Sequence, residues 1–404
     1  MTKARIVWMT GLAAVLLWTS SLGAWTLFNT ITLGAVVELS GFLADTSRYY
    51  RDGYKLAVDR INDKGGITLG GKQYKLALKL LDSKSDPKLA KQQHERLVSK
   101  DKVTGLLGPY SGNDVLNGAS IAEKYQIPMV EAGSASARVF SRGYRYVFGT
   151  LPVAEESFRT TVAMLRQLTP KAKTVGLVSG DDSFDAASAG MTDLLKQAEM
   201  ELVLHQEYSE RIPNFFNILT LVKGKAPDVL FWTGREANAI SYVREAKSRN
   251  IYPNFLTAFA AGVPAPSFLS VLGKDANLAV GTTPWIPSER LKDRWFGDAA
   301  QFAAEYEKKF GYAPDYHAAA AVAAVEAHAA AIEAAGTLDP KRLRDAIAKV
   351  DFESLYGRVH FGEDGQIAMP QTVVQIQNGK LIEVFADKFI NQPIYPVSAG
   401  DRHS

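Results

Sequence analysis

Two short loops carry most of the chemistry this sequence offers. Gly108-Pro109-Tyr110-Ser111-Gly112-Asn113 and Ala132-Gly133-Ser134-Ala135-Ser136 each pair glycine with small hydroxyl residues just ahead of a helical stretch. Backbone N–H groups at a helix start, with hydroxyls beside them, suit a carboxylate or another anion. Turn glycines and N-caps alone give the same pattern, but two such loops after neighbouring strands point to a site. Farther along, Phe184, Trp232, Arg235 and Glu236 fall at corresponding strand ends of a second layer. Trp285, in Thr283-Pro284-Trp285-Ile286-Pro287, falls at a connection between domains. Trp232 and Trp285 read equally as core packing, and Arg235 and Glu236 as a solvated pair or N-cap charges.

Catalytic and metal-binding constellations are missing. Cys is 0, which excludes disulfides, thiol catalysis, Cys-ligated zinc and a lipid-modified N-terminal cysteine. Gly108 to Gly112 has the wrong spacing for a nucleophile elbow. Neither G-x-x-x-x-G-K-[ST] nor G-x-G-x-x-G occurs. His94-Glu95 lacks a second histidine four residues on. His317 and His328 share a face of one helix and read as polar residues on a solvated surface, and Asp181-Asp182 as a solvated loop. We therefore expect no enzyme, no cofactor and no metal.

Lys+Arg 46 against Asp+Glu 43 gives +3 with no basic cluster, so nucleic acid is not an expected partner. Two of those cations, Lys3 and Arg5, precede an apolar run from Ile6 to Trp18 and then Ser21-Leu22-Gly23-Ala24. This is the layout of a cleavable export signal over residues 1–24, cut after Gly23 or Ala24, with an uncleaved anchor as the alternative. The Ala-rich stretch Ala318–Ala335 is broken by Glu326, His328 and Glu333 and reads as a helix of a soluble domain.

The elements that must position the loops alternate. Ile31–Leu39, Tyr74–Leu81, Val103–Leu107 and Ile127–Val130 read as strands. Between them lie a helix with Tyr50, Tyr54, Ala57 and Ile61 on one stripe, a helix capped by Asp86-Pro87, and Asp114–Tyr125. The αβ pattern restarts near Thr150, with strands at Thr174–Ser179, Glu201–Glu207, Asp228–Trp232 and Asn254–Ala258. Leu291–Phe310, Pro314–Ala335 and Pro340–Val350 read as helices. A hairpin then turns at Asn378-Gly379. Strand–helix alternation implies right-handed crossovers and parallel sheets.

On these residues the sequence resembles the leucine/isoleucine/valine-binding type of periplasmic solute-binding protein, the receptor of ABC importers for hydrophobic amino acids. Leu39-Ser40-Gly41, Gly53 with Ala57, Ile61-Asn62 before Lys64-Gly65-Gly66-Ile67, Asp86-Pro87, the Gly108 loop, Gly133 before Arg142-Gly143-Tyr144, and Tyr356-Gly357 before Phe361 and Gly365 carry the likeness. It runs from Ile31 to the C-terminal hairpin. It implies an α/β fold of two Rossmann-like lobes with parallel-rich sheets and three hinge crossings, near Thr150, Thr283 and Tyr356. Lobe 1 would be 31–150 plus 285–355, and lobe 2 would be 151–284 plus 356–395. A solute would bind between them.

The resemblance places ligand contacts at Tyr110, Ser111, Gly112, Ser134, Ala135 and Ser136 of lobe 1. Across the cleft it maps Phe184 and Phe259, and the residue reading adds Trp232, Arg235, Glu236 and Trp285. Two departures from the family pattern matter. Gly112 and Ala135 stand where the family has hydroxyls, and Phe259 stands near the family's ammonium-binding glutamate. Glu236 in its place favours a hydrophobic amino acid, whereas Arg235 pointing inward favours a non-amino organic acid. The expected partners are a small carboxylate-bearing solute and an ABC permease in the inner membrane, with a monomeric receptor in the periplasm. A ligand-sensing regulator on the same fold is the rival reading.

Overall fold

The computed structural model describes residues 29–168, 171–180, 190–209, 211–260, 262–386 and 388–393. Residues 1–24, expected to be an export signal, and Asp181-Asp182 and Phe184 lie outside the described residues. The first sheet joins β1 (Asn29–Val37), β2 (Ile67–Leu69), β3 (Lys72–Asp82), β4 (Gly105–Leu107), β5 (Met129–Glu131) and β6 (Val147–Gly149). Its order is β2-β3-β1-β4-β5-β6. Every pairing is parallel except β2 with β3. Helices α1 (Ala44–Asp63), α2 (Pro87–Ser99) and α3 (Gly112–Tyr125) and a single turn at Ala137–Phe140 lie between the strands. As the sequence implied, Asp86 caps α2 by accepting the N–H of Lys88 at 2.8 Å and of Leu89 at 3.2 Å.

The second sheet joins β7 (Thr174–Gly180), β8 (Glu201–Tyr208), β9 (Val229–Thr233), β10 (Leu256–Phe259) and β11 (Val280–Thr283) in parallel. Two minor ladders follow in the chain, β12 (Lys292–Asp293) with β13 (Gly297–Asp298), and β14 (Asp351–Ser354) with β15 (Gly357–His360). The closing hairpin, β16 (Thr372–Gln377) and β17 (Lys380–Phe385), adds antiparallel to β11. It turns through Asn378 at φ 51° and Gly379 at φ 71°, both in the left-handed region that an Asn-Gly turn needs. The fold is thus the expected α/β pair of lobes with parallel-rich sheets.

Three expectations need correction. The expected helix from Leu291 begins only at Ala299. Asp293 accepts the N–H of Trp295 and Phe296 at 2.6 and 2.7 Å, and Asp298 caps the helix at Gln301, so two aspartates hold a turn that helix formation would break. The Ala-rich helix Tyr316–Ala335 is not solvated. Most of it is buried in the first core, and His328 is 1% exposed, its Nε2 lying 2.9 Å from the Leu106 carbonyl. The third passage between lobes also falls later than Tyr356. Tyr356, Val359, Phe361 and Ile367 pack in the first core, and Ile367 donates its N–H to the Gly149 carbonyl at 2.9 Å. The chain enters the second sheet at Thr372.

Alanine serves that central helix because α1 must approach closely. A Cβ on Gly53 would meet the Ala318 carbonyl at 2.7 Å and the Ala321 Cβ at 3.0 Å. Gly224, in the helix Phe216–Lys225, has nothing within 4 Å of such a Cβ. We expect Gly53→Ala to cost about 1–3 kcal/mol by overpacking, and Gly224→Ala to add roughly 0.5–1 kcal/mol by helix propensity. Urea unfolding of both variants measures this, and equal effects would contradict the packing described.

Candidate functional site

In open parallel sheets a ligand sits past the carboxyl ends of the strands. Both sheets present those ends to one cavity of about 340 Å³, lined by Tyr110 to Asp114, Gly133 to Ser136, Tyr316 and His317 on one side and by Arg235, Ala260 and Thr282 on the other. Leu43 and Phe42, in the loop after β1, form its lip.

Buried carboxyl groups brace the first wall from beneath. Glu131, the last residue of β5, accepts the N–H of Gly133 at 2.7 Å and of Ser134 at 2.9 Å. Glu38 accepts the N–H of Tyr110 at 3.2 Å and the hydroxyl of Ser47. The Tyr54 hydroxyl donates to the Gly108 carbonyl at 2.9 Å. Loop donors expected to meet an anion are therefore partly spent inside the protein. Among the described residues, no partner meets the N–H groups of Gly112 and Asn113, in the first turn of α3, or of Ala135. Their geometry rests on Ser111, which caps α3 through Asp114 at 3.4 Å while held at φ +76°. An L-residue on that side of φ is strained unless its surroundings hold it.

Burial pushes the Glu131 carboxyl up to about 8 against the pull of its two N–H donors. Burial, helped by the neighbouring Asp114 carboxyl, pushes Glu38 up to about 8 as well. At neutral pH both then hold protons. A carboxylate arriving at Gly112 meets N–H dipoles without two buried anions behind them.

Aromatic rings form the body of the cavity. Tyr50 stacks on Tyr110 at 5.8 Å and 28°, and His317 lies 5.3 Å from Tyr50 and edge-on to Tyr110 at 5.8 Å. Asp315 orients the imidazole, with Oδ2 at 2.8 Å from Nδ1. The Tyr50 hydroxyl is buried and has no partner among the described residues.

The structure brings together Tyr110, Ser111, Gly112, Ser134, Ala135, Ser136 and Arg235. It does not bring in Trp232, Phe259 or Trp285. Trp232 stacks on Tyr208 at 5.8 Å and packs on Phe259 at 5.5 Å, both in a core behind the second sheet. Alternation along β9 and β10 turns these side chains into that core. Trp285 belongs to the first core, with Nε1 donating to the Leu355 carbonyl at 2.8 Å. Glu236 accepts the Ser267 hydroxyl and does not line the cavity. Phe184 is outside the described residues.

Sequence reasoning missed Phe42, Tyr50 and His317 as cavity residues. Tyr50 was visible only as one residue of an apolar helix stripe. His317 returns to the first sheet from the last third of the chain, which no local pattern signals.

The family model for periplasmic binding proteins matches residues 30–380. Leu/Ile/Val-binding protein homolog 8 of Brucella abortus (strain 2308) is 25% identical over 372 residues, covering 88% of this chain and 91% of that protein. The branched-chain amino acid transporter substrate-binding protein LivJ of Streptococcus pneumoniae, solved with isoleucine, superimposes with a TM-score of 0.75 at 24% identity, covering 88% of this chain and all of that one. A solute-binding protein of an ABC transporter from Rhodopseudomonas palustris BisB5, solved with 3,4-dihydroxybenzoic acid, gives 0.74 at 20% identity, with 90% and 99% covered. Matched by the family model over residues 30–380, this chain belongs to the periplasmic binding protein family and shares the fold of these solved ABC transporter substrate-binding proteins.

Proposed function

We propose that this protein is the extracytoplasmic receptor of an ABC importer, that it captures a small solute bearing a carboxylate and an apolar body, and that it performs no reaction on it. One observation carries the reading: unpartnered N–H groups of Gly112, Asn113 and Ala135 share a cavity with Arg235 of the opposite lobe and a wall of tyrosines. Helix-start dipoles and a guanidinium suit a carboxylate, and aromatic walls suit an apolar or ring-bearing body. The relatives' names favour a hydrophobic amino acid. The partner is then a permease of the inner membrane, and residues 1–24 are the export signal, removed in the mature monomer.

A second reading, a non-amino organic acid, has its own support. Arg235 lines the cavity, whereas Glu236, the expected substitute for the family's ammonium partner, is not among its lining residues and accepts the Ser267 hydroxyl. A buried ammonium without a carboxylate partner is costly.

Calorimetry with L-leucine, L-phenylalanine and their deaminated carboxylic acid analogues separates the two. Amino acids should bind and the acids bind weakly on the first reading, with the reverse order on the second. Arg235→Ala should weaken whichever class binds by about 1.5–3 kcal/mol, the range for a hydrogen bond to a charged group. Failure of every carboxylate would overturn the site. In the same preparation, intact mass of protein from the native host should place the N-terminus at Ala24 or Trp25; retention of Lys3 and Arg5 would overturn export by a cleaved signal.

A further inference from the structure

His317 lines the cavity with its side chain 12% exposed, and its two ring nitrogens differ in surroundings. Nδ1 stands 2.8 Å from Asp315 Oδ2. Asp315 is buried, and its Oδ1 caps the Ala-rich helix by accepting the N–H of His317 at 2.9 Å and of Ala318 at 3.4 Å. A carboxylate only accepts, so the proton of the neutral imidazole sits on Nδ1, and Nε2 presents a lone pair. Nε2 has no hydrogen bond among the described residues.

Aromatic rings surround this imidazole. The ring of Tyr316 lies 3.9 Å from it, that of Tyr50 5.3 Å and that of Tyr110 5.8 Å, and all three tyrosines line the cavity. Ring faces attract cations. The outer side of the same cluster already holds one: the Arg48 guanidinium stands 4.3 Å from the Tyr312 ring and 5.3 Å from that of Tyr49, which lies 6.4 Å from His317. The Tyr50 hydroxyl, buried without a partner among the described residues, leaves a further oxygen acceptor in the cluster.

We propose that His317, backed by Asp315 and enclosed by Tyr50, Tyr110 and Tyr316, is the subsite for an ammonium group of the solute. The ammonium donates to His317 Nε2. Asp315 is a positioning residue: it fixes the tautomer and supplies the balancing negative charge through the ring. The proposal rests on the reading that the solute's carboxylate sits at the Gly112 loop. Tyr110 precedes Ser111 and Gly112 directly, so the two subsites adjoin. The pair would supply the ammonium partner that Glu236, engaged by Ser267, does not. It favours an amino acid over its deaminated counterpart, because a buried ammonium needs an acceptor and a compensating charge.

The test is calorimetry on wild type, His317→Phe and Asp315→Asn. The probes are L-phenylalanine against 3-phenylpropanoate, 5-aminopentanoate against pentanoate, and 2-phenylethylamine, which has no carboxylate. Phenylalanine at 317 keeps a ring and removes the acceptor. Asparagine at 315 keeps the cap oxygen, but its amide donates to Nδ1 and moves the ring proton to Nε2. In wild type the ammonium should strengthen binding roughly tenfold or more, as one hydrogen bond to a charged group does. That ratio appears in the first pair of probes if the ammonium adjoins the carboxylate, and in the second if it lies at the far end of the solute. Both variants should erase it. Equal binding within both pairs by wild type, or a ratio that survives in His317→Phe, would overturn the subsite and leave the carboxylate reading standing. A ratio that survives in Asp315→Asn alone would overturn the part given to Asp315. If every carboxylate fails, that reading falls separately, and 2-phenylethylamine decides on the subsite. Binding to wild type that is lost in His317→Phe supports it, and no binding, or equal binding to both proteins, overturns it.

Discussion

The loops after β4 and β5 are pressed together so tightly that only glycine fits between them. A Cβ on Gly133 would stand 1.8 Å from the Pro109 carbonyl oxygen, and one on Gly108 would stand 2.4 Å from the Glu131 Cβ. That contact fuses two loops into one wall, and Glu131 locks it by taking the Gly133 and Ser134 N–H groups. The position of the remaining donors follows from this lock. Gly112 and Asn113 start a helix whose cap, Ser111, is held in a strained conformation by its neighbours. Such strain is tolerated where the surroundings fix it and function uses it.

The same lock reaches the passages between lobes. Thr150, where the chain first leaves the first sheet, donates its N–H to the Glu131 carbonyl at 2.9 Å and its hydroxyl to the Ala320 carbonyl at 3.1 Å. The passage near Gly149 is bonded to the returning chain at Gly365 and Ile367. Gln371 reaches Ser157 at 3.3 Å, so two passages run side by side. A wall, its buried carboxyl and two passages thus form one connected unit built on the Ala-rich helix. Closure of lobes about such passages is the hinge motion by which two-domain receptors engulf solutes.

Much of the fold was legible in the sequence because it rests on local rules. The β-branched run of β1, the Asp86-Pro87 cap and the Asn378-Gly379 turn each announce their element through residue type and spacing. The start of the helix at Ala299 was hidden because Asp293 and Asp298 look like ordinary surface acids. The two loops of the site were legible as glycine and hydroxyl clusters. Which of their N–H groups remain available was not, since Glu38 just after β1 and Glu131 at the end of β5 belong to apolar runs and their burial is a tertiary fact. Trp232 and Phe259 illustrate the opposite failure. An aromatic at a strand end reads equally as ligand wall or core, and one step of alternation decides between them. Trp285, in the connection after β11, packs into the first core instead. His317 reached the cavity by a long-range return that sequence spacing does not encode.

The central claim is that the fused loops on one lobe and Arg235 on the other converge on a single carboxylate. A crystal structure of the protein with the solute that binds in calorimetry tests it directly. The account predicts the solute's carboxylate within hydrogen-bond distance of the N–H groups of Gly112, Asn113 or Ala135, with the Arg235 guanidinium on the same group and the solute's body against Tyr50 and Tyr110. A solute bound with its carboxylate away from both loops, or seated in the core around Trp232 and Phe259, would contradict it.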